Sequence, residues 1–302
     1  MKIKNKYKLS ICVITMNRRE QLIEALTSCL LCKMPKDTQF VIVDNGSTDN
    51  TENDVKNLLN KCEYDYIYQK SPINLGVGGG RNLCYNLSTA DYLYFLDDDA
   101  IISPQSYQSF FDSNIKFLDR NPQVATITTK IIDKFWPKAR IPLFARSKQI
   151  EGRACIFMYF GGSHFIRRSA FQKRENLYDD IKYGFEELAP SLYAMDIGFY
   201  NVYDEKNSIL HCPKINKWEK GSEELYNLQV LSCTTPYFIK KEIYPTCFFP
   251  LIYLAYKLRC MKYLKKSSYK KTKYANINIT QKFKVQISTI FDMLFQFGFS
   301  IF

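Results

Sequence analysis

Residues 92–99 read Tyr-Leu-Tyr-Phe-Leu-Asp-Asp-Asp, an apolar and aromatic run that stops on three consecutive carboxylates. The run predicts a strand. Crowding like charges at its end is costly unless a cation or donor groups compensate, and hard divalent cations take oxygen ligands of this kind. Asp97, Asp98 and Asp99 are therefore candidates for a metal site. An acidic turn capping the next helix through Ser103-Pro104 is the ordinary alternative.

Four further runs of the same character flank this one: Lys8–Met16, Gln39–Asp44, Tyr64–Gln69 and Val124–Ile132. Between them lie helical patterns. Leu22, Leu26 and Leu30 recur at four-residue spacing, Thr51–Leu59 follows the turn Asn45-Gly46-Ser47, and Arg81–Leu87 and Gln105–Asp119 complete the set. Alternating strands and helices predict an open, mainly parallel α/β sheet covered on both faces. In such sheets ligands bind beyond the carboxyl ends of the strands. The loops at those ends are polar here: Thr15-Met16-Asn17-Arg18, Asp44-Asn45-Gly46-Ser47, Asn74 to Asn82 with its glycine-rich Gly76–Gly80 centre, and the three aspartates. A glycine-rich loop leading into a helix can bring backbone N–H groups to a phosphate, with Arg81 as a charged donor. It is neither the dinucleotide fingerprint, because Arg81 occupies the third glycine position, nor a P-loop. A flexible turn is its ordinary reading.

Taken together and in order, Ile11–Arg19, Val41–Thr51, Asn74–Asn82 and Phe95–Ala100 resemble the nucleotide-binding half of family 2 glycosyltransferases with the GT-A fold. The resemblance continues through Phe160-Gly161-Gly162-Ser163 and Phe165-Ile166-Arg167-Arg168 to Phe185-Glu186-Glu187 and His211. It implies that Thr15, Asn17 and Asp44 line the base and ribose pocket, that Arg81 lies near the diphosphate, that Asp97 lies nearer the ribose, and that Arg18, Asn74, Gly76 and Asp98 belong to the same nucleotide-sugar site. Asp97 and Asp99 would be the outer members of a D-x-D motif, with Asp99 on a Mg²⁺ or Mn²⁺ ion and His211 as a further ligand; a satisfied, partly buried histidine is the alternative for His211.

Glu186-Glu187 stands where relatives usually show Glu-Asp, whose second member is the catalytic base of inverting enzymes, so the resemblance assigns that role to Glu187. A helix starting here, with Pro190 tolerated in its first turn, would set both carboxylates at a positive helix end. Simple charge compensation of that helix end is the competing account. Tyr193, where relatives often have Arg, is a second departure.

Composition bounds the rest. The chain has 302 residues, 46% hydrophobic and 24% charged, which is ordinary for a globular protein. Cys29-x-x-Cys32 falls inside a helical pattern with no second pair, so buried free thiols are expected. The formal charge of +12 is uneven: Lys257–Lys284 holds ten Lys/Arg and no Asp/Glu, against 32 basic and 29 acidic residues in 1–256. A basic field over the whole surface is unsupported, so no nucleic-acid partner is expected. One segment facing an anionic membrane, with the apolar stretches Cys247–Tyr256 and Val285–Phe302 on either side, is the better reading; both stretches are too short or too interrupted to span a bilayer. A tail helix docked on the catalytic domain is the alternative.

The expectation is a GT-A domain over 1–235 and a helical, basic and aromatic membrane-associating tail over 236–302, cytoplasmic and peripheral at the inner membrane face, without a signal peptide. Its activity would be transfer from a nucleoside diphosphate sugar to a hydroxyl of a glycan or lipid-linked acceptor, in cell-surface polysaccharide synthesis. A nucleotide-sugar-binding or scaffolding domain with little transferase activity is the rival. Two other rivals fit less well: a haloacid-dehalogenase-type phosphatase would need a later Gly-Asp motif that is missing, and a sugar nucleotidyltransferase would carry its glycine-rich loop after the first strand.

Overall fold

The computed structural model describes residues 6–134, 139–174, 176–179, 181, 184–213, 223–264 and 283–302, without the side chains of 223–229 and 262–264. The elements run β1 (Tyr7–Thr15), α1 (Arg19–Leu30), β2 (Thr38–Asp44), α2 (Thr51–Leu59), β3 (Asp65–Lys70), α3 (Gly76–Leu87), β4 (Ala90–Asp97), β5 (Ala100–Ile102), α4 (Phe110–Arg120), β6 (Val124–Asp133), β7 (Phe144–Ile150), β8 (Arg153–Ile156), β9 (Ser163–Arg167), α5 (Arg168–Phe171), α6 (Leu188–Asp196), β10 (Tyr200–His211), α7 (Glu223–Ile243), α8 (Phe249–Leu264) and α9 (Ile287–Phe297).

The strands form one sheet in the order β3-β2-β1-β4-β9-β6-β10-β8-β7, with β5 added alongside β10. Its first four strands are parallel, as the alternation of strand and helix predicts. The other half is mixed. β9 enters antiparallel between β4 and β6, and β10 runs parallel to β6 but antiparallel to β5 and β8. Every residue of β2, six of the nine in β1 and six of the eight in β4 are buried, because helices cover both faces of the central strands. One layer packs around Leu22, Leu26, Phe110, Phe111 and Phe165, and the opposite one around Cys84, Phe171 and Tyr178. Cys29 and Cys32 are buried free thiols in the first layer.

Two helix boundaries differ from expectation. The pattern Gln105–Asp119 is split, with a 3₁₀ turn at Pro104–Ser106 before α4 begins at Phe110. More consequentially, Gly76–Gly80 is not a loop leading into a helix but the first part of α3 itself. Glycine inside a helix costs roughly 1 kcal/mol relative to alanine, and the compensation here is close approach. A Cβ on Gly78 would stand 2.5 Å from the Asp179 carbonyl oxygen, and one on Gly80 3.0 Å from the Ile14 side chain and 3.1 Å from that of Asn45. The glycines let α3 sit against β1 and the 178–179 segment.

The closing elements build a third core. Ile290, Met293, Phe297 and Ile301 pack with Phe157, Leu188, Ala189 and Leu192, so α9 lies against α6. Asp196 at the end of α6 accepts the Gln286 N–H at 2.7 Å and the Thr289 hydroxyl at 2.8 Å, fixing the start of α9. No helix of the described residues is long and apolar enough to cross a membrane. Most of the basic run expected to meet a membrane, residues 265–282, lies outside the described residues.

Removing the buried face of α9 should therefore destabilise the whole domain. Met293→Ala and Phe297→Ala are each expected to cost about 2–5 kcal/mol, whereas Phe295→Ala, at a residue 78% exposed, should stay within about 0.5 kcal/mol. Denaturant titration of the full chain checks both values.

Candidate active site

The carboxyl ends of β1 and β4 open onto a cleft of about 610 Å³, lined by Thr15, Arg18, Asn45, Asn74, Gly76, Arg81, the three aspartates, Gly161, Gly162, Glu186, Glu187 and His211, among others. Strand pairing brings them together. Register sets Ile14 beside Asp97 and Thr15 beside Asp44. It also sets His211 beside both Ala100 and Asp133, so β10 delivers the imidazole between Asp99 and the end of β6. The resulting group of Asp97, Asp99 and His211 has its ligand atoms within 4.8 Å of one another. Two carboxylates and an imidazole are a donor set that a Mg²⁺ or Mn²⁺ ion accepts.

His211 is oriented from behind. Its Nδ1 lies 2.6 Å from Asp133, which Arg140 holds by two guanidinium hydrogen bonds at 3.0 and 3.3 Å, while Nε2 faces Asp99 at 3.4 Å. A carboxylate on one ring nitrogen fixes the tautomer and turns the other toward a ligand position. Burial alone would lower the His211 pKa; hydrogen bonding to Asp99 and Asp133 outweighs it and raises it. Burial likewise opposes ionisation of Asp99, yet His211 and Arg18 keep its pKa below the usual carboxylate value. Asp98, buried beside Asp99, is pushed up to about 6 despite Arg18.

The remaining predicted residues occupy less expected places. Arg18 does line the cleft, but one of its guanidinium nitrogens bridges Asp98 and Asp99 at 2.8 Å each. Thr15 gives its hydroxyl to Asp98 at 2.8 Å. Asn74, just before α3, accepts the Gly76 N–H at 2.8 Å. Asn17, at φ 53° and exposed, accepts the Thr48 N–H, and Asp44 is fully buried with its oxygens on the Ser47 N–H and the Tyr68 hydroxyl. Both shape the loops after β1 and β2, beside the cleft residues Met16, Arg18 and Asn45.

Arg81, which the resemblance sets near a diphosphate, lines the cleft but is held by protein carboxylates. Its side chain is 4% exposed, and its guanidinium bonds Glu186 at 2.8 Å, Asp97 at 2.9 Å, the Gly161 carbonyl at 3.0 Å and Glu187 at 3.3 Å. Burial opposes its charge, but the three carboxylates raise its pKa above the ordinary arginine value. Sequence reasoning missed this because the partners lie 16, 105 and 106 positions away.

The supports of this cluster were also unforeseen, although the Gly161-Gly162 doublet is a visible signal for one. A Cβ on Gly161 would fall 1.8 Å from Glu187 Oε1 and 2.7 Å from Arg81. Behind it, buried His164 meets the Gly161 carbonyl at 2.9 Å through Nδ1 and the Tyr178 hydroxyl at 2.7 Å through Nε2, and Asn82 of α3 bonds the Tyr178 backbone at both ends. Burial and Arg81 push the His164 pKa well below the imidazole range, so this ring is neutral. Phe185, which precedes the glutamates, adopts φ 66°, a left-handed conformation that costs a side-chain-bearing residue roughly 1–2 kcal/mol.

The glutamates stand just before α6, with Glu187 preceding its first residue and Pro190 in the first turn as the sequence suggests. One Glu186 oxygen, Oε2, is buried without a hydrogen-bond partner among the described residues. Burial, reinforced by Glu186, pushes the Glu187 carboxyl up to about 8 against the pull of Arg81. The native state thus binds this proton more tightly than the unfolded chain, and stability falls as pH rises from about 4.5 to about 8. Glu187→Gln should match the parent near pH 4.5 and become more stable than it by about 1–3 kcal/mol above pH 8. Chemical denaturation across pH reads the difference, and a pH-independent gap would exclude this origin.

The abequosyltransferase RfbV of Salmonella typhimurium is 31% identical over 109 residues, 35% of this chain and 33% of that protein, so the match spans only a third of the relative's length. Staphylococcus aureus TarS 1–349 in complex with UDP-GlcNAc superposes with a TM-score of 0.60 at 16% identity, over 86% of this chain and 76% of that one. The mannosyltransferase PcManGT of Pyrobaculum calidifontis, in complex with GDP-Man and Mn²⁺, gives 0.57 at 11% identity, over 88% and 78%. At these identities the superpositions establish the GT-A fold. The model of glycosyl transferase family 2 matches residues 10–175, more than half the chain and the whole segment from β1 past β9. The chain belongs to glycosyl transferase family 2.

Proposed function

We propose that the protein transfers a sugar from a nucleoside diphosphate sugar to a hydroxyl of a glycan or lipid-linked acceptor, with inversion, in cell-surface polysaccharide synthesis. The observation that carries this reading is the meeting, in one cleft, of Asp97, Asp99 and His211 with the buried Glu186–Glu187 pair. The presence of UDP-GlcNAc in TarS and of GDP-Man with Mn²⁺ in the mannosyltransferase supports the donor class and the cation. Asp97, Asp99 and His211 would hold Mg²⁺ or Mn²⁺, which when bound offsets negative charge on a diphosphate.

Glu187 is the proposed base. Burial and the neighbouring Glu186 raise its pKa, so its ionised form is a stronger base than an exposed glutamate. It takes the hydroxyl proton as the acceptor oxygen bonds the anomeric carbon, and the bond from that carbon to the diphosphate breaks with its electron pair on the leaving oxygen. A single displacement inverts the anomeric centre. Arg81 keeps both glutamates in position. The glycine contacts at 161 and 162 exclude side chains from the floor on which the sugar would rest. We further propose a peripheral location at the cytoplasmic face of a membrane, through 247–302.

Asp99→Asn should abolish metal-stimulated release of nucleoside diphosphate and weaken Mn²⁺ binding measured by calorimetry, with the unfolding transition intact; full activity with unchanged metal dependence would remove Asp99 from the metal site. Glu187→Gln should keep donor binding and lower turnover by about 10²–10⁴, while Glu186→Gln falls less; the reverse order would move the base by one residue. Asp133→Asn should lower Mn²⁺ affinity by about 10–100-fold and leave nucleotide binding without metal unchanged. Binding of nucleotide without any turnover, across an unbiased donor screen, would favour the binding-module alternative.

A further inference from the structure

The apolar residues of α9 and of the 3₁₀ turn that follows it, Gly298–Ile301, form two sets, and among the described residues only one is covered. Ile290, Met293, Phe297 and Ile301 are at most 6% exposed, whereas Ile287, Phe291 and Phe295 of α9, spaced four apart, and Phe299 of the turn are 52%, 59%, 78% and 75% exposed. The first set holds the third core together. α8 adds to the exposed set: Leu254 and Leu258 are 55% and 63% exposed. Two contacts tie the ends of these elements together: Phe248, in the turn before α8, stands against Phe291 of α9 with ring centroids 6.2 Å apart, and the Arg259 guanidinium of α8 is on the Ser300 carbonyl, in the turn after α9, at 3.3 Å. Large apolar side chains clustered at this exposure mark an interaction surface.

We propose that this double-helix face inserts into an anionic lipid surface, with the stripe Ile287, Phe291, Phe295 and Phe299 as its deepest part. The inference rests on the membrane reading above and assigns its contact residues. Charge selects the occupant. Lys257 and Arg259 of α8 and Lys284 just before α9 are exposed, and Lys257–Lys284 as a whole carries ten Lys/Arg and no Asp/Glu, so the helices that bear the face are accompanied by positive charge. A second copy of the chain would bring two such segments together and be repelled. An anionic bilayer gains from each basic residue near it and accepts aromatic and aliphatic side chains at the boundary between headgroups and acyl chains. α8 and α9 then lie along the surface, because neither spans it.

The test uses the full chain, the triple variant F291S/F295S/F299S, F295S and F295W, with vesicles of phosphatidylglycerol and phosphatidylcholine in equal parts or of phosphatidylcholine alone. The parent is expected to co-sediment with the anionic vesicles at low salt. The triple variant should bind at least about tenfold more weakly while still unfolding in one cooperative transition, and F295S alone, at a side chain 78% exposed, should also weaken binding with its unfolding midpoint unchanged. The indole introduced by F295W should be quenched by brominated acyl chains beyond any quenching of the parent. If the parent sediments and the triple variant matches it, this face is not the contact although the membrane reading stands. If the parent stays in the supernatant with anionic vesicles, both fall. A parent that is dimeric in sedimentation velocity, made monomeric by the triple substitution and indifferent to vesicles, would make a second copy the occupant.

Discussion

A single buried guanidinium holds the two sides of the cleft together. Arg81 is surrounded by Asp97 from β4 and by Glu186 and Glu187 from the approach to α6. Three carboxylates around one cation leave an excess of negative charge, and removing the cation would strand buried charges at a cost of several kcal/mol. Much of the local architecture serves this contact. α3 starts with glycines so that it can approach β1 closely enough to aim Arg81 inward, Gly161 leaves room for Glu187, and neutral His164 secures the carbonyl that completes the guanidinium's partners. The left-handed backbone at Phe185 is the conformational cost of turning the glutamates toward that cation.

The sequence made the first half of the sheet readable because its signals are local. Apolar runs of strand length, helical spacing of leucines and polar residues at strand ends all operate within about ten residues, and β1 to β4 with the helices between them appear where those signals lie. The aspartates and His211 were also legible as candidates, since carboxylates at a strand end and a histidine in a strand are chemically conspicuous. What could not be read is pairing across the chain. Nothing in the residues around 133 says that β6 and β10 will place Asp133 behind His211, and nothing around 81 says that its charge will be spent on residues more than a hundred positions away. The same holds for Asp44, whose oxygens go to Ser47 and Tyr68. The glycine-rich segment misled for a related reason: glycine marks close approach as well as bending, and only the tertiary neighbour, the carbonyl of Asp179, distinguishes the two.

The polar positions of the final apolar stretch invited a simple division into a dry and a wet face. The structure shows a three-way division, with one apolar face in the core, a second in the open, and polar residues between. Periodicity registers that a helix has apolar surface but not how many partners will share it. A helix that stabilises its own domain and offers aromatic rings outward carries two tasks in one turn pattern, and burial is what separates them.

The third core also sets where this protein can be cut and rejoined. Leu188, Ala189 and Leu192, the first turns of the helix behind Glu187, are packed against Ile290, Met293 and Phe297 from the last helix. A chimera that joined residues 1–235 to the closing helices of a distant relative would keep every strand and every cleft residue, yet back α6 with foreign side chains and let Glu187 drift against Arg81. The workable crossover lies upstream, before the glutamate pair, so that α6 travels with α9 as one inherited block.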